Sequence, residues 1–150
     1  VYTGLQHARS TLIMKGDVVA ESEGGAYGNV TSLVICVATA LNGEHIDMTP
    51  PIPGNGTAGN GSQNVVVVSY SSQGIRTDDL YWTAGQLGQG NGDTMLDPGE
   101  IFEMTIYLTG AGETISTYKT FGIEIKPPVG SVLVMERSTP AALSEWMILH

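Results

Sequence analysis

The chain has 150 residues, of which 41% are apolar and 14% charged, with a formal net charge of −9 and a pI near 4.5. That length suits one domain with a real core, and the acidic balance disfavours nucleic-acid backbones and anionic lipid surfaces as partners. The single cysteine, Cys36, excludes an intrachain disulfide and a multi-cysteine zinc site. Ser, Thr, Asn and Gly stand where charges would usually be, which predicts an external or glycan-bearing protein. No apolar stretch reaches the roughly 18 residues of a membrane span, and no signal peptide is recognisable. The start at Val1 instead of Met reads as a processed or truncated product.

Period-two patterns dominate from the start. Residues 10–21 read as a first strand, with Gly16-Asp17 as a bulge or bend. Residues 31–41 read as a second, apolar on both faces: Leu33, Ile35 and Val37 on one, Val34, Cys36, Ala38 and Ala40 on the other. Such a strand is expected to be covered on both sides. Asn42-Gly43 is a turn signal. Residues 49–63 carry Pro50, Pro51, Pro53 and several glycines, and predict a long exposed loop.

Residues 64–71 read as a third strand and 75–84 as a weaker fourth, interrupted by Asp78-Asp79. Residues 85–93 form a second Gly-rich loop. Asp97-Pro98-Gly99 is a tight turn with Pro at its second position. Residues 100–108 then alternate, Phe102, Met104, Ile106 and Leu108 pointing one way. Gly110-Ala111-Gly112 turns the chain again. Residues 114–126 alternate with Phe121, Ile123 and Ile125 inward, and 129–136 are a further strand. At the end, Thr139-Pro140 could start a helical turn, or Trp146-Met147-Ile148-Leu149 could form a last strand. The pattern predicts an all-β, Ig-like β-sandwich or barrel of about seven to eight mostly antiparallel strands, any helix being short.

Catalytic constellations are missing from the sequence. His7, His45 and His150 lie far apart, with no second histidine or cysteine at ligand spacing. Adjacent Asp78 and Asp79 would face opposite ways on a strand and cannot act as an acid/base pair. Gly88-Gln89-Gly90-Asn91-Gly92 lacks the Lys-Ser/Thr and helix of a phosphate loop. Cys36, inside an apolar run, reads as a small buried hydrophobe. Tyr81-Trp82 reads as core, or as the one exposed aromatic patch that a binding module would need. No cofactor is required by this pattern. Asp93, Asp97 and Glu100 crowd one Gly-rich loop beside Asn91, and that is where a hard cation, calcium or magnesium, would be held. Asn29, Asn55 and Asn60 begin Asn-Xaa-Ser/Thr sequons and are candidate glycosylation sites.

Two segments carry a family likeness: Leu96-Asp97-Pro98-Gly99-Glu100-Ile101-Phe102-Glu103-Met104-Thr105-Ile106, and Lys126-Pro127-Pro128-Val129-Gly130-Ser131-Val132-Leu133-Val134-Met135-Glu136-Arg137-Ser138-Thr139-Pro140. The L-x-P-G-E turn before an alternating strand, then a P-x-x-G turn, an apolar strand, Thr-Pro and a short apolar end resemble archaellin, the archaeal flagellin. Leu12-Ile13-Met14-Lys15-Gly16-Asp17-Val18-Val19-Ala20 is similar to that family's first outer-domain strand. The likeness covers about a third of the chain.

The resemblance implies a β-sandwich outer domain at residues 10–150, with residues 1–9 as the remnant or linker of a missing N-terminal hydrophobic helix like that of type IV pilins. It implies a structural, non-enzymatic subunit of the extracellular archaellum, associating with copies of itself and other archaellins into a helical filament for motility. Without the helix, the piece is expected to be monomeric and to touch no membrane. The alternative is an archaellum accessory or stator protein, or a pilin-like surface protein contacting the S-layer or glycans. A β-sandwich hydrolase is the third reading, and it would need convergent polar groups in a pocket.

Overall fold

The computed structural model describes residues 12–39, 45–87, 94–128 and 130–149. The strands follow in chain order: β1 Leu12–Glu23, β2 Asn29–Thr39, β3 Ile46–Asp47, β4 Val67–Ser72, β5 Ile75–Thr77, β6 Trp82–Leu87, β7 Met95–Leu96, β8 Ile101–Tyr107, β9 Thr120–Lys126, β10 Leu133–Ser138 and β11 Trp146–Leu149. Among the described residues the one helical element is a 3-10 turn at Gly25–Tyr27. A five-stranded sheet runs β11-β1-β2-β8-β6, a four-stranded sheet β10-β9-β4-β5, and β3-β7 form a small third sheet. The strand pairings within these sheets are antiparallel. The sheets are open, with edges at β11, β6, β10 and β5, so the architecture is a sandwich and not a barrel.

The alternation read from the sequence sets the core. Phe102, Met104 and Ile106 are buried, while Ile101 and Glu103 on the opposite phase are exposed. Their partners across the ladder are Val37, Ile35 and Leu33 of β2. From the other sheet come Val68 and Tyr70 of β4 and Phe121, Ile123 and Ile125 of β9, all in the same core cluster. Tyr70 and Phe121 stack with ring centroids 5.8 Å apart. Each such large apolar side chain contributes about 1.5–3 kcal/mol by leaving water.

Gly16 takes φ +83 where the β1–β2 register slips between Lys15 and Val19, so the expected bulge is present. The Asp97-Pro98-Gly99 turn closes with Glu100 N donating to Asp97 O at 3.0 Å, and Gly99 at φ +90 fits a type II turn.

Several expectations are corrected. Residues 75–84 are two strands in different sheets. Asp79 sits at φ +58, a conformation that Asp tolerates better than most residues. There the chain leaves the four-stranded sheet at β5 and enters the five-stranded sheet at β6. Residues 114–119 do not extend the next strand, which starts at Thr120 after Tyr118 at φ +54. No helical turn forms at Thr139. Its hydroxyl instead donates to Ser116 O at 2.6 Å and accepts from Lys119 N at 2.8 Å. The following segment clamps onto the first hairpin, through Leu143 N to Ala26 O and Ser22 Oγ to Ser144 O, before β11 pairs with β1. On the second face of β2, Ala38 is buried as expected, while Val34 and Cys36 are half-buried. Ala40, the Asn42-Gly43 turn, Val129 and residues 1–9 lie outside the described residues.

The 49–63 loop is held by backbone bonds and by the Ser62 hydroxyl. Gly59 N donates to Ile52 O at 2.6 Å and Tyr81 N to Gly56 O at 3.1 Å. Gly56 lies directly on Gly110, so that a Cβ on Gly56 would stand 2.5 Å from Gly110 N. A side chain at either position forces two backbones apart, which is an overpacking defect of about 1–3 kcal/mol. Gly110→Ala is expected to lower unfolding stability by that amount in urea titration, against no more than about 0.5 kcal/mol for Gly85→Ala, where a Cβ meets open space.

Candidate functional site

The Asp97–Glu100 turn joins β7 to β8 beside the end of β6. The Glu100 carboxylate accepts from Asp97 N and from Gln86 Nε2, each at 2.9 Å. Asp97 pairs with His45 Nδ1 from the segment leading into β3. These two carboxylates therefore brace the turn against two neighbouring strands. Asp93 and Asn91, the other members of the expected cation loop, lie outside the described residues, as do His7 and His150. Among the described residues no group of three or more His, Cys, Asp or Glu is placed to hold a metal ion.

The three sequon asparagines are all exposed. Asn55 and Asn60 stand on turns of the 49–63 loop, and Asn29 opens β2 opposite Glu23. Thr57 is half-buried in a bridge to Leu80, and Ser62 Oγ donates to Gly59 O while accepting from Ile52 N. The loop thus presents Asn55 and Asn60 outward, while the Ser62 hydroxyl holds the second turn.

Cys36 stands opposite Glu103 on the outer face of the five-stranded sheet. Burial, and then the Glu103 charge, push its thiol up, so it is a poor thiolate. Trp82 is fully buried, with no hydrogen-bond partner for its indole Nε1. Tyr81 stacks on Tyr107 at 5.2 Å. The pair Tyr81-Trp82 is thus split between an outer face and the core.

Sequence reading missed one buried polar cluster. Glu113 accepts hydrogen bonds from the Tyr70 and Ser72 hydroxyls and pairs with Lys119 Nζ at 2.9 Å. Burial opposes the Glu113 charge, but the two hydroxyls and the Lys119 ammonium outweigh it and hold its carboxyl below the usual range. Burial, with the same carboxylate, pushes the Tyr70 phenol up. The signal was Tyr70 at the inward phase of Val66 and Val68, because a buried phenol demands a polar partner. This cluster ties the 109–119 loop to the four-stranded sheet. It offers no nucleophile, and its donors and acceptors are matched.

On the outer face of that sheet, Gly122 leaves a shallow groove of about 590 Å³, bordered by Ser71, Tyr118, Glu124, Val134 and Glu136. On that border Lys119 pairs with Glu113, and Glu124 pairs at 2.8 Å with Arg76, which also reaches Asp78 at 3.2 Å.

The chain is 29% identical over 161 residues to Probable flagellin 1 of Archaeoglobus fulgidus, covering 99% of this chain and 75% of that protein. It superposes on a subunit of the archaeal flagellum of Methanospirillum hungatei strain JF1 with a TM-score of 0.71 at 19% identity, over 99% of this chain and 76% of that one. The fold is that of the archaeal flagellins. Flagellin FlaB1 of Methanocaldococcus jannaschii superposes with a TM-score of 0.67 at 14% identity, over 92% of this chain and 95% of that one. No sequence profile of a known protein family matches the chain. In the archaellin-like sandwich the two segments that carry the family likeness become the β7–β8 turn and strand, and β10 with its flanks.

The Glu113 cluster makes acid stability a direct readout of this packing. Its folded carboxyl titrates below its unfolded value near 4.5, so its contribution is present above that value and is lost as the pH falls through the lower, folded one. Denaturation midpoints are expected to drop between about pH 5 and 3. Glu113→Gln should cost about 1–3 kcal/mol at neutral pH and flatten that drop. An unchanged acid slope in the variant would contradict the role given to Glu113.

Proposed function

We propose that this chain is the wall-forming β-sandwich of an archaellum filament subunit. It works by lateral association with copies of itself and with related subunits, outside the cell, and not by turnover. The observation that carries this reading is the match to Probable flagellin 1 along 99% of the chain, joined to the archaeal flagellin fold. The chemistry agrees with it. The candidate groups Cys36, Asp97, Glu100 and Glu113 are each engaged in structural contacts or held in an unreactive form, and a filament wall needs chemically quiet sheets. In this reading residues 1–9 lead from the sandwich, at 10–150, to a hydrophobic helix that bundles at the filament centre, and the sandwich without that helix stays monomeric.

Deleting the gene is expected to abolish swimming, and its restoration to recover it. Peptides of this chain should dominate mass spectra of filaments sheared from the cells. Swimming cells whose filaments lack these peptides would refute the reading.

We further infer that glycans are carried on Asn55 and Asn60, with Asn29 as a third site. All three side chains are exposed, and the loop bearing the first two is fixed by its own backbone bonds, so a bulky sugar is tolerated there. Glycopeptide mass spectrometry of the native protein should find modified Asn55 or Asn60. Unmodified peptides at all three positions would reject the inference.

A further inference from the structure

A sheet edge is a row of unpaired backbone N–H and C=O groups, open to any strand that comes alongside. Proteins blunt such edges with charge, proline, bulges or short length. Both edges of the four-stranded sheet are blunted in this way. β5 has three residues and carries Arg76. β10 carries Glu136 and Arg137, and Arg137 stands opposite Phe121, on the phase that points inward. An inward-pointing charge keeps a further strand from settling on an edge.

The edges of the five-stranded sheet carry no such device. β6, Trp82-Thr83-Ala84-Gly85-Gln86-Leu87, and β11, Trp146-Met147-Ile148-Leu149, contain neither a charge nor a proline. Their registers on β8 and β1 run without a bulge. Among the described residues, Thr83, Ala84 and Gly85 make no backbone bond beyond the ladder to β8, and β11 makes none beyond the ladder to β1.

The side chains of these two edges are complementary. On the outer face β6 presents Thr83, Gly85 and Leu87, and β11 presents Trp146 and Ile148. A Cβ on Gly85 would meet nothing within 4 Å. A glycine inside a strand weakens it and marks a place where another chain can approach closely. An aromatic side chain on the adjoining strand makes good that weakness. Trp146, 55% exposed, is such a side chain, and with Trp146 beside Gly85 the next outer pair is Ile148 beside Leu87, 49% and 42% exposed. β6 set against β6, or β11 against β11, would leave Gly85 without an aromatic cover. Neighbours in this sheet alternate in direction, so its first and last strands, β11 and β6, run the same way. Two copies that face the same direction therefore meet at these edges as a parallel pair.

We propose that β11 of one copy adds to β6 of the next, so that the five-stranded sheet continues from copy to copy. Backbone bonds make the attachment, and Trp146 on Gly85 with Ile148 on Leu87 sets the register. The contact joins two different edges, so it leaves one of each unused and extends as an open array. This names a contact that the filament reading leaves open, and it rests on that reading.

The test uses filaments sheared from cells that express the complete gene with Cys36→Ala, to which Leu87→Cys and Ile148→Cys are added singly or together. They are treated with a bismaleimide that spans about 8 Å, more than one strand spacing and less than two. Within one chain the two positions lie four strand spacings apart, about 19 Å, so any link joins two copies. The double variant should give a ladder of dimers, trimers and longer products, and each single variant monomers only. Filaments of the double variant that give no ladder would overturn the proposal. Dimers from either single variant would overturn it too, because an edge would then be meeting its own kind. Should these substitutions prevent filaments, Gly85→Cys with Trp146→Cys reads the same contact with the same outcomes. A wild-type gene product that builds no filament refutes the filament reading itself, whereas filaments of this chain without the ladder refute this inference alone.

Discussion

Two apolar rows that must be buried against each other hold the molecule together. Phe102, Met104 and Ile106 on β8, with Leu33, Ile35 and Val37 beside them, have no other way out of water than the row formed by Tyr70, Phe121, Ile123 and Ile125. The period of two residues places one such row on each sheet, and the antiparallel registers keep the rows continuous. The C-terminal strand completes the arrangement: β11 pairs with β1, so the beginning and the end of the described chain share one sheet. Loops, sequons and the charged outer faces are positioned by that packing.

The polar interactions add specificity to this frame. Glu113 collects Tyr70, Ser72 and Lys119 and fixes a loop that could otherwise lift from the sheet. Thr139 does the same where the chain crosses from β10 toward β11. The partners of Tyr70 and Thr139 are brought from more than 20 residues away along the chain. Loss of one partner is costly because the other remains buried without a bond. Among the described residues the indole nitrogen of Trp82 and the hydroxyl of Thr39 are buried without a partner, and for Trp82 the apolar contact of its ring offsets the cost.

Much of the fold was legible because alternation and turn chemistry are local. The phase of Phe102, Met104 and Ile106, the Gly16 bulge and the Pro98-Gly99 turn needed only near neighbours. What was not legible depends on distant partners. Asp79 looked like a weak point in one strand, and it is the crossover between sheets. The pair β3–β7 has two residues on each side, too few to leave a period. Thr139-Pro140 has the form of a helix start, yet the hydroxyl finds Ser116, 23 residues away. The candidate site divides the same way. The exposure of Asn55 and Asn60 followed from their Gly- and Pro-rich surroundings, while the bracing of Asp97 by His45 joins positions 52 residues apart and left no local trace.

If this sandwich is a repeating element of a swimming filament, its side chains belong in the filament wall. Electron cryo-microscopy of filaments from the source cells, at a resolution where side chains are visible, would show them. Wall density is expected to follow this sequence, with the Trp82 indole enclosed between two sheets and the Gly56–Gly110 backbones in contact. Filament walls built wholly from other chains would contradict it.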